Sequence, residues 1–274
     1  MNRFIAGSNN IQLLQSIVNY KRKYNWNPII DYAKESAKNE HEANLYIDKL
    51  KDTIQYLNKN YNKELCFALK ISSFSNVDTY NKINNLINFM SIFNVSKVFL
   101  DAENVKLKDL ENSIYYPLIK NHNKNNIFIY KTYQMYLKNS FYELQHDIEN
   151  FNVGVKLVRG AYIHQDKDKD AIFNNILDTH TNYNNAVKFC INNNSKLLIA
   201  THNKESIIKA LNLEPNKDNV EFAQLLGMNN QLSQFINSKG YKVFKYMPYG
   251  SFKETLPYLS RRLIENYKII RFLI

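Results

Sequence analysis

An α/β fold of the (β/α)8 TIM-type barrel, with one extra helix before the first strand, is what this chain of 274 residues predicts. Short apolar or β-rich runs recur eight times along it. Each is followed by a longer stretch whose apolar residues fall three and four apart, the mark of a helix covering a sheet. Such alternation implies parallel strands joined by right-handed crossovers, and eight repeats suit a closed barrel better than an open sheet. An open dinucleotide-binding sheet would also want a glycine fingerprint after its first strand, and the six glycines form none.

Taken in order, a helix is expected from about Ile11 to Tyr24, ahead of the first strand. The strands are expected at 28–32 (PIIDY), 65–71 (LCFALKI), 97–102 (KVFLDA) and 127–133 (IFIYKTY). The other four are expected at 154–159 (GVKLVR), 197–202 (LLIATH), 220–226 (VEFAQLL) and 242–248 (KVFKYMP). Stretches 42–57 and 80–93 show the helical spacing most clearly. No fixed-period repeat and no Pro/Ser-rich hinge divides the chain, so 1–274 reads as a single domain.

Composition narrows the class. Hydrophobic residues make up 45% and aromatics 14%, enough for a large core, while few Gly and Pro argue against disorder or a many-turned all-β chain. No run approaches the roughly 18 apolar residues of a membrane span. The start, MNRFIAGSNN, has neither a signal core nor an Arg/Ser-rich presequence. Cys66 and Cys190 sit among apolar neighbours without metal-ligand spacing, which predicts buried thiols in a reducing compartment and no metal site. The net charge is +11. Its Lys residues are scattered among Asn and Tyr rather than blocked, so nucleic acid is not the expected partner. Attraction to an anionic cofactor or membrane surface is compatible with that charge, as is plain compositional bias.

Barrel enzymes carry their chemistry at the C-terminal ends of the strands, and here those ends are polar. Lys70, Asp101, Gln134, Lys156, Arg159, Thr201, His202, Asn203 and Tyr246 all fall at or near them. Singly, each has an ordinary explanation: Asp101 as a helix cap, His202 as a core histidine, Lys70 reaching past its neighbours to solvent. Together they describe a cationic rim suited to a bulky anionic cofactor and a small carboxylate substrate. In the last helix, Tyr258, Arg261, Arg262 and Glu265 share a face. Arg261–Glu265 has the spacing of a surface ion pair, yet two adjacent guanidiniums also make a fork for a carboxylate.

The segment 156–162 (KLVRGAY) resembles the fifth-strand motif of the proline dehydrogenase family. LDAEN (100–104) and TYQMYLK (132–138) precede it in family order; THTNYNNA (179–186), ATHN (200–203), EFAQLLGM (221–228), KYMPYG (245–250) and PYLSRRLIEN (257–266) follow. The resemblance implies FAD-dependent oxidation of L-proline to Δ1-pyrroline-5-carboxylate, with hydride passing to flavin N5 and electrons then to a quinone. It implies catalytic roles for Asp101, as organiser, and for Lys156, beside N5. Lys70, Arg261 and Arg262 would meet the proline carboxylate, and Leu157, Tyr162, Tyr246 and Tyr258 would cage the ring. Gln134, Lys156, Arg159, Gly160, Ala161, Thr201, His202 and Glu265 would contact FAD. A eukaryotic member would be mitochondrial; otherwise the cytoplasm or the inner membrane face is expected, with peripheral membrane association.

Two departures stand out. Lys156 occupies a place where many bacterial members have Arg, and IIDYAKES lacks the glycine common near the first turn. Tyr246 favours proline over hydroxyproline, because an aromatic ring there crowds the carbon that would carry the hydroxyl. Hydroxyproline oxidation is the second reading. A barrel without catalysis that binds an anionic partner such as RNA is the third, and Lys70, Asp101, Arg261 and Arg262 together argue against it.

Overall fold

The computed structural model describes residues 3–75, 77–163, 165–166 and 170–265, excepting the side chains of 257, 258 and 261–265. The chain opens with α1 (Asn10–Tyr24), β1 (Asn27–Tyr32), α2 (Glu40–Asn60), β2 (Leu65–Lys70), α3 (Thr79–Ser91) and β3 (Val95–Asp101). It continues through α4 (Lys108–His122), β4 (Ile129–Gln134), α5 (Ser140–Asn150), β5 (Gly154–Val158), α6 (Ile176–Asn192) and β6 (Leu197–Ala200). It ends with α7 (Lys204–Leu211), β7 (Val220–Leu225), α8 (Asn230–Ser238), β8 (Val243–Tyr249) and α9 (Phe252–Glu265). The strands pair in chain order and close into a barrel. The expected N-terminal helix and all eight strands are present.

The abundant asparagines have a local use. Asn9, Asn39, Asn175, Asn203 and Asn229 cap α1, α2, α6, α7 and α8, each accepting a hydrogen bond from a first-turn backbone N–H that the helix itself cannot satisfy. Asn25 ends α1 in the left-handed conformation that Asn tolerates better than most residues.

Two compact units make up the chain. The first comprises Met1–Asp101, Leu225–Met228 and Lys245–Ile274. Its helix-facing core is aromatic: Tyr32 stacks on Tyr46 at 5.5 Å and tilts against Tyr249 at 5.3 Å, while the Tyr249 hydroxyl donates to Thr53. The second comprises Ala102–Gln224 and Asn229–Phe244. There Lys131 of β4 is buried on the helix side, donating to Tyr116 of α4 and to Glu143 and Asp147 of α5 at 2.7 to 2.9 Å. Tyr133, two residues on, donates to the same Asp147 at 2.7 Å. Lys131 and Tyr133 therefore define the outer face of β4, and strand alternation puts Thr132 and Gln134 on the inner one. Both cysteines are buried free thiols.

Lys245 is a buried cation with little to hold it. It is wholly enclosed on β8, donates to the Met228 carbonyl at 3.0 Å and lies 4.6 Å over the Trp26 ring. Burial pulls its pKa down to about 7. The unfolded chain holds this proton up to about pH 10.4, so between those values the unfolded state binds more protons and stability rises with pH. Lys245→Met should therefore raise the unfolding free energy near neutral pH by about 1–3 kcal/mol, with the gain shrinking toward pH ~10. Urea unfolding at both pH values checks this; no gain at neutral pH contradicts it.

Candidate active site

In the first unit, four polar side chains meet at strand ends. Lys70 closes β2, Asp101 closes β3 directly opposite it in register, Asp31 stands near the end of β1 and Tyr246 lies in β8. Lys70 Nζ bonds Asp31 Oδ1, lies 3.8 Å from Glu35 and donates to the Tyr246 hydroxyl at 3.4 Å. Tyr246 in turn donates to Asp101 Oδ2 at 2.6 Å. All four side chains are buried. Burial opposes the Lys70 ammonium, but Asp31, Glu35 and Asp101 together raise its pKa well above the ordinary lysine value, so it stays charged. Burial likewise raises Asp31, and the nearby Lys70 only partly offsets this, leaving it at about 6. Asp31 and Glu35 were not singled out from sequence, because IIDYAKES shows a strand followed by charged residues and nothing that distinguishes a buried carboxylate from a surface one.

In the second unit, β4 and β5 pair with Thr132 opposite Lys156 and Gln134 opposite Val158, and β5 continues the register with Lys156 opposite Leu198 of β6. These residues share the inner face. Lys156 is buried, while Val158 and Ala200 are half-exposed. The Thr132 hydroxyl is buried and finds no hydrogen-bond partner among the described residues. Gln134 donates its amide to the Glu103 carbonyl at 2.7 Å, and Glu111 accepts from the Glu103 N–H at 2.7 Å, burial raising the Glu111 carboxyl to about 7.

Leu157 follows Lys156 in β5. It is fully buried and lies opposite Tyr133, on the helix-facing side of β5, rather than on the face that carries Lys156. Successive strand residues point to opposite faces, so adjacent residues of one strand cannot both line the interior.

Past β5, Gly160 adopts φ 122°, and a Cβ there would fall 1.7 Å from the Tyr136 ring, so only glycine makes this turn. The turn follows Arg159, whose Nε donates to His180 Nδ1 at 2.9 Å and whose terminal nitrogens donate to Thr201 Oγ1 and Ser206 Oγ, both at 2.8 Å. The guanidinium also lies 4.3 Å over the Tyr183 ring. Thr201 and His202 precede α7, whose first turn is an N-terminal dipole end of the kind that attracts anions. Ala161 is half-buried and Tyr162 buried in the same unit. Tyr258, Arg261, Arg262 and Glu265 fall on α9, but their side chains lie outside the described residues.

These features suit FAD. Small half-exposed residues on the inner face suit a planar ring, the buried Thr132 hydroxyl retains its hydrogen-bonding capacity, and three of the five Arg159 N–H groups are engaged by neutral acceptors. A charged guanidinium with donors left over at a helix N-terminus suits a diphosphate.

The chain is similar to several known proteins. Proline dehydrogenase 1, mitochondrial, of Dictyostelium discoideum is 37% identical over 171 residues, covering 53% of this chain and 30% of that protein. A hydroxyproline dehydrogenase of Xenopus laevis is 31% identical over 199 residues, covering 64% of this chain and 41% of its own length. The chain thus spans less than half of either relative. Among solved structures, proline utilization A from Bdellovibrio bacteriovorus, inactivated by N-propargylglycine, superposes with a TM-score of 0.87 at 22% identity, over 97% of this chain and 32% of that one, and so shares the barrel. A sequence model of the family described as proline dehydrogenase matches residues 14–273, and the chain belongs to that family.

Proposed function

We propose that the 274 residues act as one FAD-dependent proline dehydrogenase domain, oxidising L-proline to Δ1-pyrroline-5-carboxylate. The observation that carries this reading is the buried Asp31–Lys70–Tyr246–Asp101 chain at the strand ends of a barrel from this family.

Gln134, Lys156, Arg159, Gly160, Ala161, Thr201, His202 and Glu265 would hold the cofactor. When bound, FAD would supply the two-electron acceptor for the hydride that proline C5 gives up. Arg261 and Arg262 would bind the carboxylate bidentately, so that fixing one end of a small ring orients the carbon at the other. Tyr246 cannot act freely as an acid, since its proton is committed to Asp101. Its role is to present a rigid ring edge to the substrate while Lys70 and Asp101 hold its hydroxyl. Lys156 would set positive charge beside the acceptor, with the Thr132 hydroxyl opposite it in register. Electrons would then leave to a quinone, and the net charge of +11 suits an anionic membrane surface from which to reach one.

Anaerobic addition of L-proline to the flavin-loaded chain should bleach the flavin band, and N-propargylglycine should inactivate the chain. A loaded sample that proline leaves coloured contradicts the assignment. The frog relative keeps hydroxyproline as a second reading. The buried, doubly bonded Tyr246 disfavours it, so hydroxyproline should reduce the flavin far more slowly than proline.

A further inference from the structure

We propose that His180 is a positioning residue for the cofactor's diphosphate, fixing the plane in which Arg159 offers its remaining N–H groups. This rests on the flavin reading above and adds a residue to it that the family resemblance does not assign.

Arginine Nε always donates, so the 2.9 Å contact makes His180 Nδ1 an acceptor and places the imidazole proton on Nε2. The other two bonds are directed in the same way. Ser206 donates its single hydroxyl proton to Asn184 Oδ1 at 2.7 Å, which turns its lone pairs toward Arg159. Thr201 Oγ1 accepts from Arg159 and from the backbone N–H of Asn203 at 3.1 Å. With Tyr183 beneath the plane, the guanidinium is held on its Nε edge, at both terminal nitrogens and on one face.

The charge balance separates this from ordinary packing. Every hydrogen-bond acceptor of Arg159 among the described residues is neutral, so the bonds orient its positive charge without pairing it to a carboxylate. Glu205, the carboxylate whose field reaches Arg159, is exposed and paired with Lys209 at 2.6 Å. An arginine serving only to tie α6 to α7 would gain most from a carboxylate, and the Ser206–Asn184 bond already joins those helices without it. A half-buried guanidinium held in a fixed plane at the start of α7, with no carboxylate bonded to it among the described residues, is the arrangement that binds an anion. His180 supplies the bond on the Nε edge, which together with the two terminal bonds keeps the whole plane from turning about the Cδ–Nε bond toward solvent.

The test compares FAD dissociation constants of the full-length wild type, H180L and H180N by flavin fluorescence, with melting of each FAD-free protein alongside. Asn Oδ1 and His Nδ1 both lie two bonds from Cβ, so H180N restores the acceptor. H180L should weaken FAD binding about tenfold with little change in FAD-free melting, and H180N should recover most of the loss. Should H180L fail to fold, His180→Gln, which shifts the acceptor outward by one bond, carries the same expected loss. Wild-type affinity in H180L, or H180N as weak as H180L, overturns the proposal. Failure of the wild type to take up FAD would instead overturn the flavin reading, which keeps the two outcomes apart.

Discussion

Lys70→Met is expected to cost about 3–5 kcal/mol of stability near neutral pH and to cut kcat/KM for L-proline by a factor on the order of 10² to 10³. The stability loss follows from charge. Lys70 is the buried cation that Asp31 bonds, with Glu35 and Asp101 also in its field. Without it, the burial that already raises Asp31 to about 6 acts unopposed and drives the carboxyl higher. A carboxyl raised on folding contributes stability below its unfolded pKa and loses it as pH rises through the folded value. The variant's deficit should therefore be smaller near pH 5 than near pH 8, and adding Asp31→Asn should recover part of it. Urea unfolding of the single and double variants at both pH values checks this, and a pH-independent deficit would falsify the account. The activity loss follows from position, since Lys70 also donates to Tyr246, which is tied in turn to Asp101.

The second large effect is on the cofactor. Arg159→Met should weaken FAD binding by a factor on the order of 10² to 10⁴, because about two charge-assisted bonds of 1.5–3 kcal/mol each would be lost. Arg159→Lys should fall between, since an ammonium keeps the charge but cannot satisfy His180, Thr201 and Ser206 together in one plane. FAD-free melting should move little, because Ser206 keeps Asn184 and Thr201 keeps the Asn203 N–H. Fluorescence titration measures all three proteins; an Arg159→Met chain with unchanged affinity would leave the diphosphate assignment without support.

The strands were legible because each is a short apolar run with polar flanks, and the longest disagreement at a strand end is two residues: the run at 127–133 against Ile129–Gln134, or 97–102 against Val95–Asp101. The extra helix, expected at about Ile11–Tyr24, is α1 at Asn10–Tyr24. Site residues carried by strong motifs, such as Lys156 and Arg159, stand where strand-end reasoning puts them. The motif alone does not show that Leu157 takes the other face of β5 from Lys156; the strand register does. Asp31 and Glu35 were missed because a carboxylate's significance here lies in the lysine that reaches it from the next strand. That one Gln134 amide N–H is held by the Glu103 carbonyl could not be read from sequence, because the two lie 31 positions apart.

By itself, the sequence determined the barrel, the helix ahead of it, the family and which strand ends are polar. These are properties of periodicity and of ordered motifs, both local along the chain. Only the tertiary structure decided which side chains share a face and which charges meet. Lys70 meets Asp31 across 39 positions and Tyr246 across 176, and Arg159 meets His180 and Ser206 across 21 and 47. Burial and pairing depend on such distant partners, and it is burial that turns Asp31 from an ordinary carboxylate into one poised at about 6.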